Sequence, residues 1–259
     1  MIPKVIHYCW FGGNPKPEII EKCIASWEKF CPGWEIKEWN ETNYDVTAHS
    51  YVKEAYEAKK WAFVSDVVRL DVVCRLGGVY LDTDVELLQP IDFLCECDAF
   101  FSFETNLNIN TGIGFGSATD HPSVRAMLTY YAGKHFIVRG KPDMSPCPAK
   151  NTEALRSMYP QFQRNGTAQY FDGVRILDGT EYNSLAYHYG TKSWVDGPTE
   201  KHVFKDTKLK RWLRKPECFD FIELHFGKNF VNVYTFIVYD LMEMGPVYYI
   251  KRLLTKLRK

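Results

Sequence analysis

The sequence contains no apolar run of about 18 residues, the minimum for a helix that crosses a bilayer, so no spanning helix is expected. It has no net charge, with 32 basic and 32 acidic residues, and the acidic excess of residues 1–200 means that no general nucleic-acid coat is expected there. It has no CxxC pair. Its eight cysteines, Cys9, Cys23, Cys31, Cys74, Cys95, Cys97, Cys147 and Cys218, are scattered. Cys95 and Cys97 stand two apart with no matching pair elsewhere, so a zinc site is not expected either. Several of these thiols lie in apolar segments, where cysteine behaves as a small hydrophobe. They are read as reduced, which points to the cytosol. The start, MIPKVIHYCWFGG, is too short and too interrupted for a signal peptide. There is no internal repeat.

What is present is ordinary in amount. The 259 residues suffice for one large domain, or one domain with an appendage. Hydrophobic residues make up 46% and charged residues 25%, which excludes a disordered or collagen-like chain. Aromatics are plentiful at 15%, and flat rings suit apolar cores, planar bases and sugar faces alike. Charge is uneven along the chain. Residues 201–259 hold 13 Lys/Arg against 6 Asp/Glu, while residues 1–200 carry the compensating acidic excess.

Lys4–Phe11 is apolar and β-branched and ends at Gly12–Gly13, the pattern of a first strand. Residues 17–30 have helical spacing, with Ile20, Ile24 and Trp27 on one face, and Pro32–Gly33 ends them. Residues 34–39 alternate as a second strand. Strand, helix, strand at this spacing is an α/β unit. A helix is predicted over 52–59 and a clearer one over 62–76, capped by Gly77–Gly78. Residues 79–82 then form a buried strand running into an acidic loop. Further strands are expected at 98–104 and 174–177, a glycine-laced strand or loop at 110–117, and a helix from Pro122 to Tyr131. Residues 139–170 are rich in Pro, Gly, Lys and Asn and are expected to be irregular. Residues 187–195 are expected to be loop, and 205–215 and 245–259 to be basic helices.

The chemistry centres on Leu81-Asp82-Thr83-Asp84. Two carboxylates at i and i+2 on extended backbone share one side and suit a hard divalent cation. They stand at the C-terminal end of a buried strand, where open α/β sheets place ligands. The pair alone fits a solvated turn as well. Asp66 and Arg69 lie one helical turn apart and read either as an ordinary surface ion pair or, given their apolar neighbours Val64, Val67, Val68 and Leu70, as charges half buried for a purpose.

The stretch from Ala62 through Asp66 and Arg69 to Leu76-Gly-Gly-Val-Tyr80-Leu-Asp82-Thr-Asp84 resembles the DxD sugar-transferase signature of glycosyltransferase family 32. The catalytic domains of large clostridial glucosylating toxins carry a similar stretch. Ile2–Gly13 resembles the family's first nucleotide-binding strand, and Ala186–Trp194 its C-terminal active-site loop. The resemblance spans roughly residues 1–195. It implies an α/β fold of the GT-A, nucleotide-sugar-binding type: a Rossmann-like mixed central sheet flanked by helices. The expected organisation is a catalytic domain over 1–200 and a helical, basic C-terminal extension over 201–259.

The resemblance also implies roles. Asp84 is expected to ligate Mn²⁺ or Mg²⁺ directly. Asp82 is expected to touch the nucleotide's ribose and to reach the metal, in one arrangement through water. Asp66 and Arg69 would grip the hydroxyls of the donor sugar, Tyr80 would lie near the donor, and Trp10 would stack on the base or else be a core Trp at a strand end. His188 would complete the metal shell, imidazole suiting Mn²⁺. Ser193 and Trp194 would donate hydrogen bonds to the leaving diphosphate. Asn110-Thr111-Gly112 could line the sugar pocket, glycine permitting close approach of backbone to ligand, although a plain strand kink explains the segment equally. His7 and His49 have no partner visible in the sequence and are read as structural.

The expected activity is a retaining, metal-dependent transfer of a hexose from a nucleotide sugar, UDP favoured over GDP, to a glycan or lipid-linked glycan acceptor in bacterial surface polysaccharide synthesis. Lys205–Lys215 and Lys251–Lys259 interleave cations with Trp and Leu. They suit either helices packed on the body or segments that meet an anionic membrane surface from the cytoplasmic side. Two other classes compete. One is a phosphohydrolase whose first DxD carboxylate attacks phosphorus, which needs the motif on the first strand. The other is a silent nucleotide-sugar-binding module.

Overall fold

A computed structural model describes residues 1–104 and 107–190. The basic segments at 205–215 and 245–259, the extension over 201–259, and Ser193 and Trp194 lie outside the described residues. In chain order the elements are β1 (Val5–Cys9), α1 (Glu18–Phe30), β2 (Glu35–Trp39), α2 (Ser50–Glu57), α3 (Trp61–Leu76), β3 (Gly78–Tyr80), β4 (Val85–Leu87), β5 (Ala99–Ser102), β6 (Phe115–Ser117), α4 (Pro122–Thr129), β7 (Ile137–Val138), β8 (Lys141–Pro142), α5 (Cys147–Met158), β9 (Gln169–Phe171), β10 (Val174–Leu177), α6 (Gly179–Leu185) and β11 (Ala186–His188).

The expected α/β class is present. A seven-stranded sheet has the order β2-β1-β3-β6-β5-β10-β9. Strand β1 runs parallel to β2 and β3, and β5 parallel to β10, while β6 is antiparallel to both β3 and β5 and β9 to β10. The sheet is therefore mixed, with most strands pointing one way and helices on its faces. Among the described residues no helix is long and apolar enough to cross a membrane.

Strand periodicity assigns the two faces. Ile6, Tyr8, Val79 and Leu81 join a core built with Trp27 of α1. Cys9, Tyr80, Phe101 and Phe115 join the core that surrounds α3. Helix α3 is buried on nearly every side, and its buried residues include Asp66 and Arg69 among Phe63, Val64, Val67, Val68 and Leu70. A helix that is apolar all round is one enclosed by other elements. Here α2 and α4 pack on one side and the sheet on the other. Its two charges are consequently taken out of water by the same packing that shapes the core.

Four expectations need correction. The span 139–170 is not irregular throughout: α5 fills much of it, and its buried side is Cys147, Asn151, Thr152 and Leu155. Two polar residues on the inward face erase the hydrophobic period. The span 187–195 is not loop from its start, because Ala186–His188 pairs antiparallel with β4. The acidic loop after β3 contains β4 itself. Finally, Asp82-Thr83-Asp84 does not sit on extended strand. The Val85 N–H donates to the Asp82 carbonyl at 3.0 Å and closes a turn over the motif.

His7 is structural, as expected, and its tautomer follows from its neighbours. Its Nδ1 accepts from the Trp39 indole N–H at 3.1 Å, so its Nε2 carries the proton and donates to the Gly77 carbonyl at 2.8 Å. Gly77 and Gly78 have φ of 69° and 101°, and a Cβ on Gly78 would stand 2.8 Å from His7 Nε2. Burial pushes the His7 pKa down, outweighing the opposing pull of the Gly77 carbonyl. The unfolded chain therefore binds a proton that the folded chain refuses. This contribution is full above the unfolded value of about 6.5 and is lost as pH falls below it toward the lower folded value. Urea midpoints measured at pH 7.5 and 5.5 are expected to fall with pH, and His7→Gln is expected to flatten part of that slope. An unchanged slope in the variant would remove His7 as a source.

Candidate active site

Arg69 is the hub. Its side chain is 4% exposed, and its Nη2 lies 2.8 Å from Asp66 Oδ1 and 3.5 Å from Asp82 Oδ1. Its Nε donates to the Ser65 carbonyl at 3.0 Å, which fixes the plane of the guanidinium against its own helix. The Tyr80 ring lies beneath it, 5.1 Å from Cζ to centroid. Tyr80 is placed there by strand alternation: it faces α3 while Val79 and Leu81 face the other way. The Tyr80 hydroxyl donates to Asp82 Oδ1 at 3.0 Å. Tyr80 is 1% exposed, so it orients Asp82 from below rather than presenting a face to a ligand.

Burial pushes the Asp66 carboxyl up, and Arg69 and a hydrogen bond with the Cys147 thiol pull it back. Burial opposes the charge on Arg69, but Asp82, Tyr80 and Asp66 more than offset this and hold it ionised. The thiols of Cys9 and Cys147 flank this cluster. Burial raises Cys9 to about 12 and Cys147 well above its ordinary value, so both stay as unreactive thiols.

The loop 109–113 closes the site from above. A Cβ on Gly112 would lie 2.3 Å from Asp82 Oδ2 and 2.8 Å from Arg69 Nη1, so only glycine lets this backbone rest on the pair. The Gly112 carbonyl accepts from the Asp82 N–H at 2.9 Å. Asn110 receives the Gly112 N–H on its Oδ1 at 2.8 Å and donates from Nδ2 to Glu104 at 2.9 Å. Thr111 is fully buried and accepts from Asn151 Nδ2 at 3.0 Å, so it ties the loop to α5 rather than facing a ligand. The Ile109 N–H donates to Thr152 Oγ1 at 2.8 Å, and the Tyr182 hydroxyl of α6 donates to the Ile113 carbonyl at 2.7 Å. Asn151, Thr152 and Tyr182 were not singled out from the sequence. The signal that marks the start of α6, not read from the sequence, is Asp178, whose carboxylate caps the Thr180 and Glu181 N–H groups.

The other half of the site is Asp84 with His188. Their meeting depends on the β4–β11 pairing, in which His188 stands opposite Val85 and the Tyr189 N–H donates to the Asp84 carbonyl at 2.9 Å. Asp84 Oδ1 lies 3.3 Å from His188 Nε2. Burial alone would lower the His188 pKa, but Asp84, and then Asp82 and Glu104, outweigh it and the net direction is up.

Trp10 follows β1, and the Leu81 N–H donates to the His7 carbonyl at 3.1 Å, so β1 and β3 leave the sheet at the same edge. Trp10 therefore stands at the edge that carries the acidic turn. It is half-buried, its indole N–H donates to the Asn14 carbonyl at 2.7 Å, and Lys16 Nζ lies 5.8 Å from its ring centroid.

Among the described residues no three His, Cys, Asp or Glu side chains converge as a metal-binding group. Asp84 and His188 do fit as a pair. Two donors with bonds of about 2.1 Å at a right angle stand about 3 Å apart, close to the separation seen. The local charge also suits a cation: Asp84, Asp82 and Glu104 all act on His188. Magnesium-type sites draw one or two protein ligands and take the rest from phosphate and water.

The structure thus brings together a buried carboxylate–guanidinium pair, an acidic turn at the edge where parallel strands end, and a glycine loop laid on both, within an α/β fold. Residues 1–120 match the family described as capsular polysaccharide synthesis protein, and the chain's strongest resemblance to glycosyltransferase family 32, residues 2–13 and 62–84, lies wholly within that stretch. Inositol phosphoceramide mannosyltransferase 3 of Schizosaccharomyces pombe is 28% identical over 151 residues, covering 52% of this chain and 40% of that protein. The chain thus spans well under half the length of this curated relative. Among solved structures, a PaToxG glycosyltransferase aligns with 61% of this chain and 70% of its own at 16% identity and a TM-score of 0.45. A glycosyltransferase involved in glycosylation of the major capsid of PBCV-1 aligns with 74% of this chain and 95% of its own at 12% identity and a TM-score of 0.40.

Proposed function

We propose that this protein is a retaining glycosyltransferase that moves a hexose from a nucleotide sugar, UDP in preference to GDP, to a glycan acceptor in surface polysaccharide synthesis. The observation that carries this is the continuous set of contacts Asp66–Arg69–Asp82–Tyr80 beside the Asp84–His188 pair. It supplies, within one small region, a fixed cation with buried acceptors for sugar hydroxyls and a pair of donors for a divalent ion.

The chemistry divides accordingly. Breaking a sugar–phosphate bond leaves a cationic sugar carbon and a diphosphate of growing negative charge. Mn²⁺ or Mg²⁺, when held by Asp84 and His188, supplies Lewis-acid stabilisation of that diphosphate. Asp66 and Arg69 hold the sugar's hydroxyls in a dry, preorganised array, and such an array needs no reorganisation as charge develops. Tyr80 keeps Asp82 aligned toward the nucleotide. Trp10 stacks on the base, and Ser193 and Trp194 donate to the departing diphosphate. Asp82 is engaged by Arg69 and Tyr80 and follows the third strand, which disfavours its use as the nucleophile of a phosphohydrolase.

Incubation with Mn²⁺ and a panel of UDP-, GDP- and CMP-sugars is expected to give slow hydrolysis of one UDP-sugar, abolished by chelator. Cleavage of simple phosphomonoesters instead would favour the phosphohydrolase, and binding without turnover the silent module.

The basic segments Lys205–Lys215 and Lys251–Lys259 support peripheral association with an anionic, cytoplasmic membrane face, suited to a lipid-linked acceptor. Co-sedimentation with phosphatidylglycerol vesicles is expected and should weaken with salt. Equal sedimentation with neutral vesicles would refute it.

A further inference from the structure

A concavity of about 480 Å³ lies between α2, α5 and the β7–β8 hairpin. Tyr51 of α2, Tyr130 after α4, Lys150 of α5, and Lys134, Arg139 and Asp143 around the β7–β8 hairpin line it. Lys150 forms its inner wall. Its side chain is 10% exposed, with Nζ 5.9 Å from the Tyr51 ring centroid and 5.6 Å from those of Tyr130 and Tyr131. The charge of Lys150 acts on Asp66, as does that of Asp66 on Tyr51. Helix α5 links the groove to that carboxylate, because Cys147, hydrogen-bonded to Asp66, stands one turn before Lys150. The buried Tyr51 hydroxyl has no hydrogen-bond partner.

The hairpin at the groove's mouth is unusual in one respect. Arg139 and Gly140 have φ of 52° and 74°, both positive, as a two-residue type I′ turn demands. Asn, Asp or Gly is favoured at the first of these positions, and an arginine there is strained. The turn is held in place nonetheless, because Glu54 of α2 accepts from the Ile137 N–H at 2.9 Å and pairs with His135 at 2.6 Å. Arg139 is exposed and makes no ion pair among the described residues. A strained, anchored turn thus displays an unneutralised guanidinium over a groove that the exposed ring of Tyr130 helps to line. Tyrosine rings suit sugar faces, and a displayed guanidinium suits an acid group.

We propose that this groove is the acceptor subsite, which rests on the transferase reading above, and that it takes a sugar carrying an acidic group, a carboxylate or a phosphate ester. Arg139 and Lys134 meet the acid, and the exposed ring of Tyr130 meets the sugar.

The test separates this role from a structural one, because Arg139→Asn suits the turn better while removing the charge. Binding is measured on the full chain, without donor, for 4-nitrophenyl glucuronide, glucose 6-phosphate, 4-nitrophenyl glucoside and inorganic phosphate. At least one acid sugar is expected to bind about tenfold tighter than both the glucoside and inorganic phosphate, as one charge-assisted contact allows. Which one does so tells carboxylate from phosphate ester. Arg139→Asn is expected to lose that preference with an equal or higher melting temperature, and Lys134→Gln to lose part of it. Equal binding of acid and neutral sugars, phosphate binding as well as the sugar phosphate, or a full preference surviving in Arg139→Asn would each overturn the proposal. Acid-sugar binding by a chain that turns over no nucleotide sugar in the donor panel would instead overturn the transferase reading and leave the groove as an acid-sugar site without an acceptor role.

Discussion

Replacement of Arg69 by Met is expected to destabilise the protein by about 3–5 kcal/mol, because it leaves Asp66 as a buried carboxyl without its partner. The loss is specific to breaking one side of the pair. Replacing both partners, as Arg69→Met with Asp66→Leu, is expected to recover much of the stability, since an apolar pair of similar volume avoids the desolvation penalty altogether. Transfer activity would not return. The measurement is a double-mutant cycle by urea denaturation, supplemented by turnover with the preferred donor. Lys at position 69 would not substitute, because a point charge cannot contact Ser65, Asp66 and Asp82 in one plane while lying over Tyr80. A single variant as stable as the parent, or a double variant no better than the single, would show that Asp66 and Arg69 are not coupled. A stable but inactive double variant would mean the buried ion pair is retained for its chemistry rather than for stability.

The same helix shows what a sequence does and does not display. Asp66 and Arg69 were legible because they interrupt an apolar stretch, and the stretch itself fixed the bounds of α3 to within a residue. Strands β1, β2 and β10 and helix α1 were legible from period and punctuation. Helix α5 was not, because Asn151 and Thr152 occupy its inward face. Those residues face inward to hold Thr111 and the Ile109 N–H, so the polar character that hid the helix is its contribution to the site. The acidic pair was found, but its backbone was misjudged: the hydrogen bond from Val85 to Asp82 turns the chain, and no local pattern in Asp-Thr-Asp-Val signals it. Strand β11 was missed for a related reason. Three residues carry too little periodicity, and only the partner strand β4, about a hundred residues earlier, makes them a strand. The elements invisible in the sequence are a helix with a polar inward face and a strand defined by long-range pairing, and they are the ones that brace the loop over Asp82 and bring His188 to Asp84.

The two acids of the turn consequently do different work, and Asp84→Asn should separate them. Asp84 contributes to the site through His188 and the proposed cation, and asparagine keeps its size while removing its charge. Turnover is expected to fall by roughly a hundredfold or more, the scale seen when one electrostatic contact to a transition state is lost. The melting temperature should change by only a few degrees, because the β4–β11 pairing rests on backbone hydrogen bonds. Asp82→Asn is expected to lose activity as well, but with a measurable loss of stability, since Arg69 and Tyr80 both converge on its Oδ1. Parallel assays of donor hydrolysis with Mn²⁺ and Mg²⁺, each paired with a melting curve, distinguish the outcomes. Near-normal turnover of Asp84→Asn with either ion would remove Asp84 from the metal site. Unfolding of that variant would make it a structural residue, and the cation would then need other ligands than the pair at Asp84 and His188.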